Sequence, residues 1–398
     1  MTDTVSRSID LVEYQPVRVP RVELTHAEAA EITERWSTAV EVVYPSPLTD
    51  QHWVLTNQGH AGVLVLRSGR MLQLRPRVPI GNLFRMLEVA YDIPLPTTDA
   101  LTGSNELPEF FDRLARILAR RVLARTQRGL YRSYEGFREQ LPYVRGSLDV
   151  RERVRRPWAV RLTCHYEEHT ADVEENQILT YTLQRLTRNG TCSDDTRPWI
   201  DRAYRTLSHA TLPPRDFTGR DCIDRLYNRL NHDYEPLHAL CRFFLENTGP
   251  VHEHGHARML PFLIGMPRLF ERFVGRWMAT HLPAEYELLE QENVNVDAAG
   301  ALHAEIDLVL LDRDTQRCLA VLDTKYKVGP VMNADLYQVN AYADLKGTER
   351  GFLVYPHDGP RAQVAEIGGV RIRAVGFGLG DDLDEAGAEY LRRVLSAL

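Results

Sequence analysis

The segment His303-Ala304-Glu305-Ile306-Asp307-Leu308-Val309-Leu310-Leu311 is the clearest indication of the fold of the C-terminal part of the chain. It is apolar apart from its first residue and two acids at alternate positions, a pattern that predicts a strand. On that strand Asp307 shares one face with Glu305, whereas Ile306 and Leu308 lie on the other face. An acidic side chain is therefore directed at a face of a sheet.

A polar connection, Asp312-Arg313-Asp314-Thr315-Gln316, follows this strand and predicts a hairpin turn. The returning strand, predicted over 317–325, places Asp323 and Lys325 on one face. With the turn at the centre of the connection, Asp307 faces Asp323 directly or diagonally, with Cβ atoms about 5 to 8 Å apart. The hairpin therefore predicts that two carboxylates and a lysine converge.

Two carboxylates this close repel each other unless a cation lies between them, so the pair is a natural site for Mg²⁺. The ammonium group of Lys325 can orient or deprotonate a water molecule and face a phosphate oxygen. A metal ion, an activated water and a phosphate together meet the requirements for phosphodiester hydrolysis. The sequence leaves open whether Glu305, on the face of Asp307, is a ligand or a surface acid.

Two predicted helices flank these strands and carry further candidate residues. In the first, over 269–278, the apolar residues form a stripe, and Glu271 lies at its edge, from which it can point toward the sheet. The second helix, near 334–345, places Gln338 and Tyr342 four residues apart on one face. Gln338 is therefore a candidate for holding water or phosphate.

Lysine is scarce in this chain. Only three of the 48 basic residues are lysines, namely Lys325, Lys327 and Lys346. At that frequency, lysine at both 325 and 327 is a chance event of order one in a few hundred, so the scarcity itself singles out this strand. None of the three lysines follows a glycine, which excludes a Walker A loop and therefore a P-loop NTPase.

The overall composition is that of a soluble globular protein of two or three domains, with 398 residues, 43% of them apolar and 26% charged. The five cysteines are odd in number and never spaced as CxxC, so neither a disulfide framework nor a structural zinc site is predicted. No segment is apolar enough to span a bilayer, and the first residues lack signal-peptide features. We expect a cytoplasmic protein that does not bind a membrane.

The pattern along the chain predicts three segments. Residues 1–105 form a β-rich N-terminal module with one helix near 27–40, and residues 106–258 form a mainly helical, Arg-rich middle region. Residues 259–398 form an α/β domain with the element order α-β-β-β-α-β-β and a closing helix. The predicted fold is therefore a multidomain α+β protein with a C-terminal α/β domain.

The middle region contains an arginine-rich segment and a cluster of histidines, and neither indicates a function by itself. Residues 113–161 contain 14 arginines, no lysine and four acids, and this stripe could neutralise DNA phosphates or form solvated helix faces. His252, His254 and His256 lie close together, but their spacing matches neither HExxH nor a zinc finger. A functional metal site is not favoured there.

A set of short motifs occurs in order along the chain: Leu74-Arg75-Pro76-Arg77-Val78-Pro79-Ile80-Gly81-Asn82-Leu83, Arg128-Gly129-Leu130-Tyr131-Arg132-Ser133-Tyr134, Val144-Arg145-Gly146-Ser147-Leu148, Asp172 followed by Glu175-Asn176-Gln177-Ile178-Leu179, Met266-Pro267-Arg268-Leu269-Phe270-Glu271-Arg272-Phe273-Val274, Ile306-Asp307-Leu308-Val309-Leu310, Asp323-Thr324-Lys325-Tyr326-Lys327 and Tyr337-Gln338-Val339-Asn340-Ala341-Tyr342-Ala343. By this ordered set the chain resembles the McrC family, the nuclease subunits of McrBC modification-dependent restriction systems. Its C-terminal part resembles the PD-(D/E)xK nuclease superfamily. Arg77 and Ser147 depart from the expected Lys and Arg, and neither belongs to the nuclease motif.

The resemblance implies a Mg²⁺-dependent DNA endonuclease with a restriction-endonuclease-like C-terminal domain. In that reading Lys325 is the water-orienting base, Glu271 is the helix acid and Gln338 is a supporting residue. The implied metal ligands are Asp307, Asp323 and the backbone carbonyl of Thr324.

The resemblance also implies a partner, a McrB-like GTPase expected as a hexameric ring, which recognises DNA with modified cytosine and whose GTP hydrolysis this chain stimulates. The N-terminal module would dock on that ring. Two other functions stay open: a catalytically silent adaptor that activates the GTPase, and a free-standing Mrr-like nuclease.

Overall fold

The computed structural model describes residues 8–93, 107–189, 192–211, 213, 215–248, 262–295, 303–327, 329–357, 364–380 and 382–398. The histidines of the 252–256 cluster lie outside these residues. The chain divides into two units, one made of Met1–Pro108 with Pro261–Leu398 and the other of Glu109–Leu260. The first and third predicted segments therefore lie in one unit, while the middle segment corresponds to the other.

The N-terminal part of the first unit is rich in short strands, and its helix predicted near 27–40 spans His26–Trp36. Its elements are β1 (Ser8–Val12), β2 (Pro16–Val19), α1 (His26–Trp36), β3 (Val40–Val43), a 3-10 turn (Pro47–Thr49), β4 (Trp53–Asn57), β5 (His60–Val65), β6 (Met71–Arg75) and α2 (Ile80–Tyr91). The prediction of a single helix was wrong, because α2 is a second one. Its apolar face, which includes Leu83, Phe84 and Leu87, is buried, although Pro79 and Gly81 at its start resemble loop residues.

The second unit contains both helices and strands. Its elements are α3 (Leu107–Gln127), β7 (Ser133–Leu141), β8 (Ser147–Leu148), α4 (Val150–Arg155), β9 (Leu162–Thr170), α5 (Glu174–Asn189), α6 (Arg197–Ser208), two 3-10 turns (Gly219–Cys222 and His232–Tyr234) and α7 (Glu235–Asn247). Helices dominate as predicted, but β7, β9 and β8 form an antiparallel sheet that was not predicted. β7 and β9 pair over nine residues each.

The C-terminal part of the first unit contains the predicted α/β elements together with two short strands. Its elements are β10 (Phe262–Gly265), α8 (Met266–His281), β11 (Tyr286–Asn295), β12 (His303–Asp312), β13 (Cys318–Thr324), α9 (Asn333–Lys346), β14 (Arg350–Tyr355), β15 (Val364–Ile367), β16 (Val370–Gly376) and α10 (Leu383–Leu395). The predicted element order lacked β10 and β15, four-residue strands at sheet edges that are too short for a clear alternation.

Within the described residues of the first unit the strands form three sheets. The largest has the order β11-β12-β13-β14-β16-β15, in which β11 to β13 are antiparallel and β13, β14 and β16 are parallel. A second has the order β1-β6-β5-β10, and a third the order β2-β4-β3. Because β10 pairs with β5, the C-terminal segment completes a sheet of the N-terminal module.

Two helices position the candidate site against the six-stranded sheet. α9 packs on the sheet through Val339 and Ala343, which join a buried cluster with Val309 and Val321. α8 contacts β11 and β12 and buries its predicted apolar stripe. Among the described residues no helix has the length and apolar character needed to cross a membrane.

Candidate active site

The hairpin of β12 and β13 brings the two predicted carboxylates together. The observed register pairs Val309 with Val321 and Leu308 with Leu322, after a bulge between Leu310 and Leu311. Continuing this register by one residue places Asp307 opposite Asp323. Of the two arrangements that the sequence left open, direct or diagonal, this register corresponds to the direct one. The turn between Asp312 and Arg317 is closed by a backbone hydrogen bond from the amide of Asp312 to the carbonyl of Arg317, 3.0 Å long.

Asp307 is half-buried and is held by the residue that follows Asp323. Its Oδ2 accepts hydrogen bonds from the backbone amide of Thr324 at 2.7 Å and from the Thr324 hydroxyl at 2.8 Å. These two bonds tie the carboxylate to the end of the neighbouring strand. The side chain of Asp307 is therefore fixed at the point where β13 ends.

Asp323 is almost completely buried, with 1% of its surface exposed. Burial, together with the negative charge of the nearby Asp307, raises the pKa of this carboxyl to about 7 against the opposing effect of Lys325. Two acids side by side in a buried position are the arrangement that a cation between them would stabilise.

Lys325 lies just past the end of β13 and contacts both Asp323 and α9. Its Nζ is 2.7 Å from Asp323 Oδ2 and donates a 3.0 Å hydrogen bond to Gln338 Oε1. Burial alone would lower the pKa of Lys325, but Asp323 and Asp307 outweigh it and hold the pKa above its ordinary value. The side chain is thus a fixed cation beside the two carboxylates.

Gln338 is exposed on α9 and is oriented by its own helix. Its Nε2 donates to the hydroxyl of Tyr342 at 2.8 Å, so the two residues share a helix face as predicted. This bond leaves the amide oxygen of Gln338 directed at Lys325. In this structure Gln338 therefore holds the lysine.

Glu271, on α8, is half-buried near the same carboxylates. Burial raises its pKa, and the negative charges of Asp307 and Glu305 add to this effect. Its Oε1 accepts a 2.9 Å hydrogen bond from Gln291 Nε2, which favours the ionised form. Glu305 itself is exposed on β12.

Gln291 was not among the residues predicted from the sequence. The pairs Glu290 with Leu308 and Glu292 with Ile306 place it opposite Asp307. Its φ of 50° is left-handed, which is uncommon for a residue other than glycine. Strand alternation carries no signal for such a conformation, so only the structure identifies this residue.

All three lysines are paired with carboxylates. Lys327 forms an ion pair with the buried Asp335 near the start of α9, and Lys346, at the end of that helix, lies 2.7 Å from Glu292. Asp335 Oδ2 also accepts from the amide of Met332, so it helps to begin α9. Lys327 therefore anchors a helix, whereas Lys325 is the lysine that contacts the paired carboxylates.

The donor set fits a hard cation with few protein ligands. In the part of the chain that the structure describes, no three His, Cys, Asp or Glu side chains are grouped to hold a metal. Two carboxylates, Asp307 and Asp323, are nevertheless adjacent, and Lys325 Nζ is 2.7 Å from the buried Oδ2 of Asp323. Mg²⁺ binds through one or two carboxylates and keeps several waters. The residues present therefore fit a Mg²⁺ ion.

The chain is similar to a known family, to a known protein and to solved structures. Residues 55–356 match the family described as "McrBC 5-methylcytosine restriction system component". The chain is 23% identical over 316 residues to the "Type IV methyl-directed restriction enzyme EcoKMcrBC" of Escherichia coli (strain K12). That alignment covers 71% of this chain and 87% of the relative.

Among solved structures, the chain is similar to one from the "Refined half-complex from tetradecameric assembly of Thermococcus gammatolerans McrB AAA+ hexamers with bound McrC". The TM-score is 0.53 at 16% identity, over 97% of this chain and 100% of that chain. A second match, the "Cryo-EM structure of the Thermococcus gammatolerans McrBC complex", has a TM-score of 0.40 at 17% identity, over 68% of this chain and 86% of that one. At such identities the first likeness concerns the fold alone.

Proposed function

The chain belongs to the McrBC 5-methylcytosine restriction system component family, and we propose that it is the DNA-cleaving subunit of such a system. Its C-terminal part would be a PD-(D/E)xK nuclease domain that hydrolyses phosphodiesters of modified DNA with Mg²⁺ in the cytoplasm. The order of an antiparallel hairpin, a crossing helix and a parallel strand around Asp323 supports this domain assignment.

One observation carries the proposal: Asp307, Asp323 and Lys325 meet where β13 ends beside the middle of β12. Asp323 is buried with its Oδ2 2.7 Å from Lys325 Nζ, and Asp307 is tied to the next residue, Thr324. Burying Asp323 and partly burying Asp307 and Lys325 is costly for stability, because each group loses some or all of its hydration. Such a cost is typical of a site that performs chemistry.

Asp307, Asp323 and the backbone carbonyl of Thr324 would hold the metal ion. When bound, Mg²⁺ would stabilise charge on a phosphate oxygen and increase the acidity of a water molecule. Lys325 would face the scissile phosphate and orient the attacking water, and Gln338 would keep its ammonium group in place. Glu271, held by Gln291, would add negative charge at the edge of the site.

We further propose a McrB-like GTPase ring as the partner. The solved relative contains McrB AAA+ hexamers with bound McrC. This chain has no Gly-Lys pair and so no Walker A loop, which means that any hydrolysis of GTP must come from another chain. Docking through residues 1–105 stays a prediction, as does recognition of modified cytosine by the partner.

Cleavage and partner activation can be measured separately in one experiment. Lys325→Ala and Asp323→Ala are assayed with Mg²⁺, a McrB-type GTPase from the same organism and methylated DNA. We expect DNA cleavage to fall by about 10²-fold or more. GTP hydrolysis by the partner should remain at the wild-type rate, because neither residue belongs to a nucleotide site.

Lys346→Ala is the matched control, because Lys346 also forms a 2.7 Å ion pair with a carboxylate but lies at the far end of α9. It should cleave like the wild type. Cleavage that survives both site substitutions would show that the active site lies elsewhere. A wild type that never cleaves but still accelerates GTP hydrolysis would instead identify an adaptor.

A further inference from the structure

A buried contact links the N-terminal module to the strand end that carries Lys325. Glu13 follows β1 and has none of its surface exposed. Its Oε2 accepts a 3.0 Å hydrogen bond from the hydroxyl of Tyr326 and a 3.1 Å hydrogen bond from the backbone amide of Arg77. Tyr326 is the residue directly after Lys325, and 313 positions separate it from Glu13.

The backbone of Tyr326 is held from the same side. The hydroxyl of Tyr14 donates to the Tyr326 carbonyl at 3.2 Å, and Arg77 Nε donates to the carbonyl of Glu13 at 3.0 Å. On the other side, the amide of Lys325 donates to the carbonyl of Val354 at 2.8 Å. The segment after Asp323 is thus fixed between the sheet and the N-terminal module.

Burying the carboxylate of Glu13 costs more free energy than a contact that only stabilises the fold would require. A carboxylate with no exposed surface loses its hydration, and the second oxygen of Glu13, Oε1, is buried with no hydrogen-bond partner among the described residues. An apolar or amide side chain of similar size would fill the position at lower cost. We therefore look for the role of Glu13 in the two hydrogen bonds that its Oε2 accepts.

We propose that Glu13 is a positioning residue for the candidate nuclease site: through Tyr326 it sets the place of Lys325 beside Asp323. This inference rests on the proposed function. Tyr326 is nearly buried, and its ring packs against Phe270 of α8. Because the ring has little room to move by itself, a shift of its hydroxyl also moves the backbone of Tyr326. The candidate catalytic lysine then depends on a residue of the N-terminal module.

Hydrogen exchange of the full-length chain tests the contact without any need for catalysis. Tyr326→Phe removes one hydroxyl at nearly constant volume, and Glu13→Ala removes the acceptor. Because the amides of Lys325 and Lys327 are both hydrogen-bonded, we expect them to exchange about 10-fold faster in each variant. Peptides from β16 should keep their wild-type exchange, which shows that the effect is local.

Cleavage kinetics test whether the contact serves the site. In both variants we expect kcat for DNA cleavage to fall about 10- to 100-fold with KM unchanged, since a small displacement of a reacting group is costly. Glu13→Gln retains an oxygen that can accept both bonds, so it should restore wild-type exchange and bring kcat back to within about threefold. Glu41→Gln, at an exposed acid of the same module, is the matched control.

Each outcome is decisive. Unchanged exchange in both variants, faster exchange with wild-type kcat, or a failure of Glu13→Gln to restore kcat overturns the proposal. If the wild type itself does not cleave DNA, the proposed function fails. The exchange rates of Lys325 and Lys327 then still decide whether Glu13 holds this segment.

Discussion

Gln291 combines a strained backbone with a contact to the candidate site. Its left-handed φ of 50° costs about 1 kcal/mol for a residue with a Cβ, and its amide donates to Glu271 at 2.9 Å. Gln291→Gly removes the strain and the amide together. We therefore expect the melting temperature to hold or rise, while the Mg²⁺ concentration for half-maximal cleavage rises about 10-fold or more, because Glu271 loses its donor. A thermal melt and a Mg²⁺ titration measure the two effects.

Gln316→Gly is the control for this substitution. Gln316 lies in the turn after β12 with a φ of 56°, and its exposed side chain donates to Glu287 at 2.8 Å. It should gain stability in the same way without changing the Mg²⁺ requirement. An equal Mg²⁺ shift in both variants would mean that the amide of Gln291 does not support the site.

Glu13 makes a second residue-level contribution, to the pH dependence of stability. Burial raises its pKa from the ordinary value of 4.5 to about 7, despite the opposing hydrogen bonds from Arg77 and Tyr326. Between these two pH values the folded chain binds more protons than the unfolded chain, so this group lowers the stability as the pH rises from 4.5 to 7. The loss from Glu13 is at most about 3 kcal/mol and is complete above pH 7.

Glu13→Gln cannot ionise, so its free energy of unfolding should rise relative to the wild type as the pH increases from 5 to 8. Urea denaturation of both proteins at several pH values measures this difference. A difference that is the same at pH 5 and pH 8 would contradict a titration of Glu13 in this range.

At the scale of single residues, the sequence was sufficient for the part of the site that depends on strand alternation. A period of two assigns Asp307, Asp323 and Lys325 to their strand faces. The register that sets Asp307 opposite Asp323 also depends on a bulge between Leu310 and Leu311, which the sequence does not reveal. Gln291 and Glu13 could not be predicted, because one depends on a left-handed backbone and the other on a contact across 313 residues. Neither leaves a local pattern.

The packing of α10 against α8 gives a prediction at the level of elements. An added Cβ at Gly387 of α10 would lie 2.2 Å from Cζ2 of Trp277, a buried residue of α8. Alanine is the better helix former by about 1 kcal/mol, but overpacking costs about 1–3 kcal/mol, and the rigid indole limits relaxation. We expect Gly387→Ala to lower the free energy of unfolding, as measured by urea denaturation.

Gly81→Ala in α2 makes the same substitution where an added Cβ has no atom within 4 Å among the described residues. It should raise the free energy of unfolding by up to about 1 kcal/mol. If both variants change stability in the same direction, contact with Trp277 is not what selects glycine at position 387.

Elements with one buried face were predictable, and elements without one were not. β12 and β13 are set into the core, so their apolar residues mark them clearly. β7 has mostly exposed residues, and the two buried residues of β9, Thr163 and Cys164, are neighbours rather than alternate positions, so no alternation marks either strand. Their pairing is visible only when both strands are seen together.

The whole molecule differs from a linear arrangement of three segments. β10 has only four residues, and its pairing of Phe262 with Val63 joins parts of the chain that are about 200 residues apart. No local property of either segment encodes that pairing. The N-terminal module and the C-terminal α/β domain consequently share a sheet, and the link from Glu13 to Tyr326 lies within the same unit.

This sharing predicts how fragments of the chain behave. A fragment of residues 261–398 leaves β10 without β5 and Tyr326 without Glu13, so we expect it to lack a cooperative thermal transition by circular dichroism. Co-expression with residues 1–108 should restore a cooperative transition and yield a complex of the two pieces on size-exclusion chromatography. Residues 109–260 form the other unit and should unfold cooperatively alone, which makes them the control fragment. If 261–398 alone melts at the temperature of the full chain, the shared sheet is dispensable, and the N-terminal module does not stabilise the candidate nuclease domain.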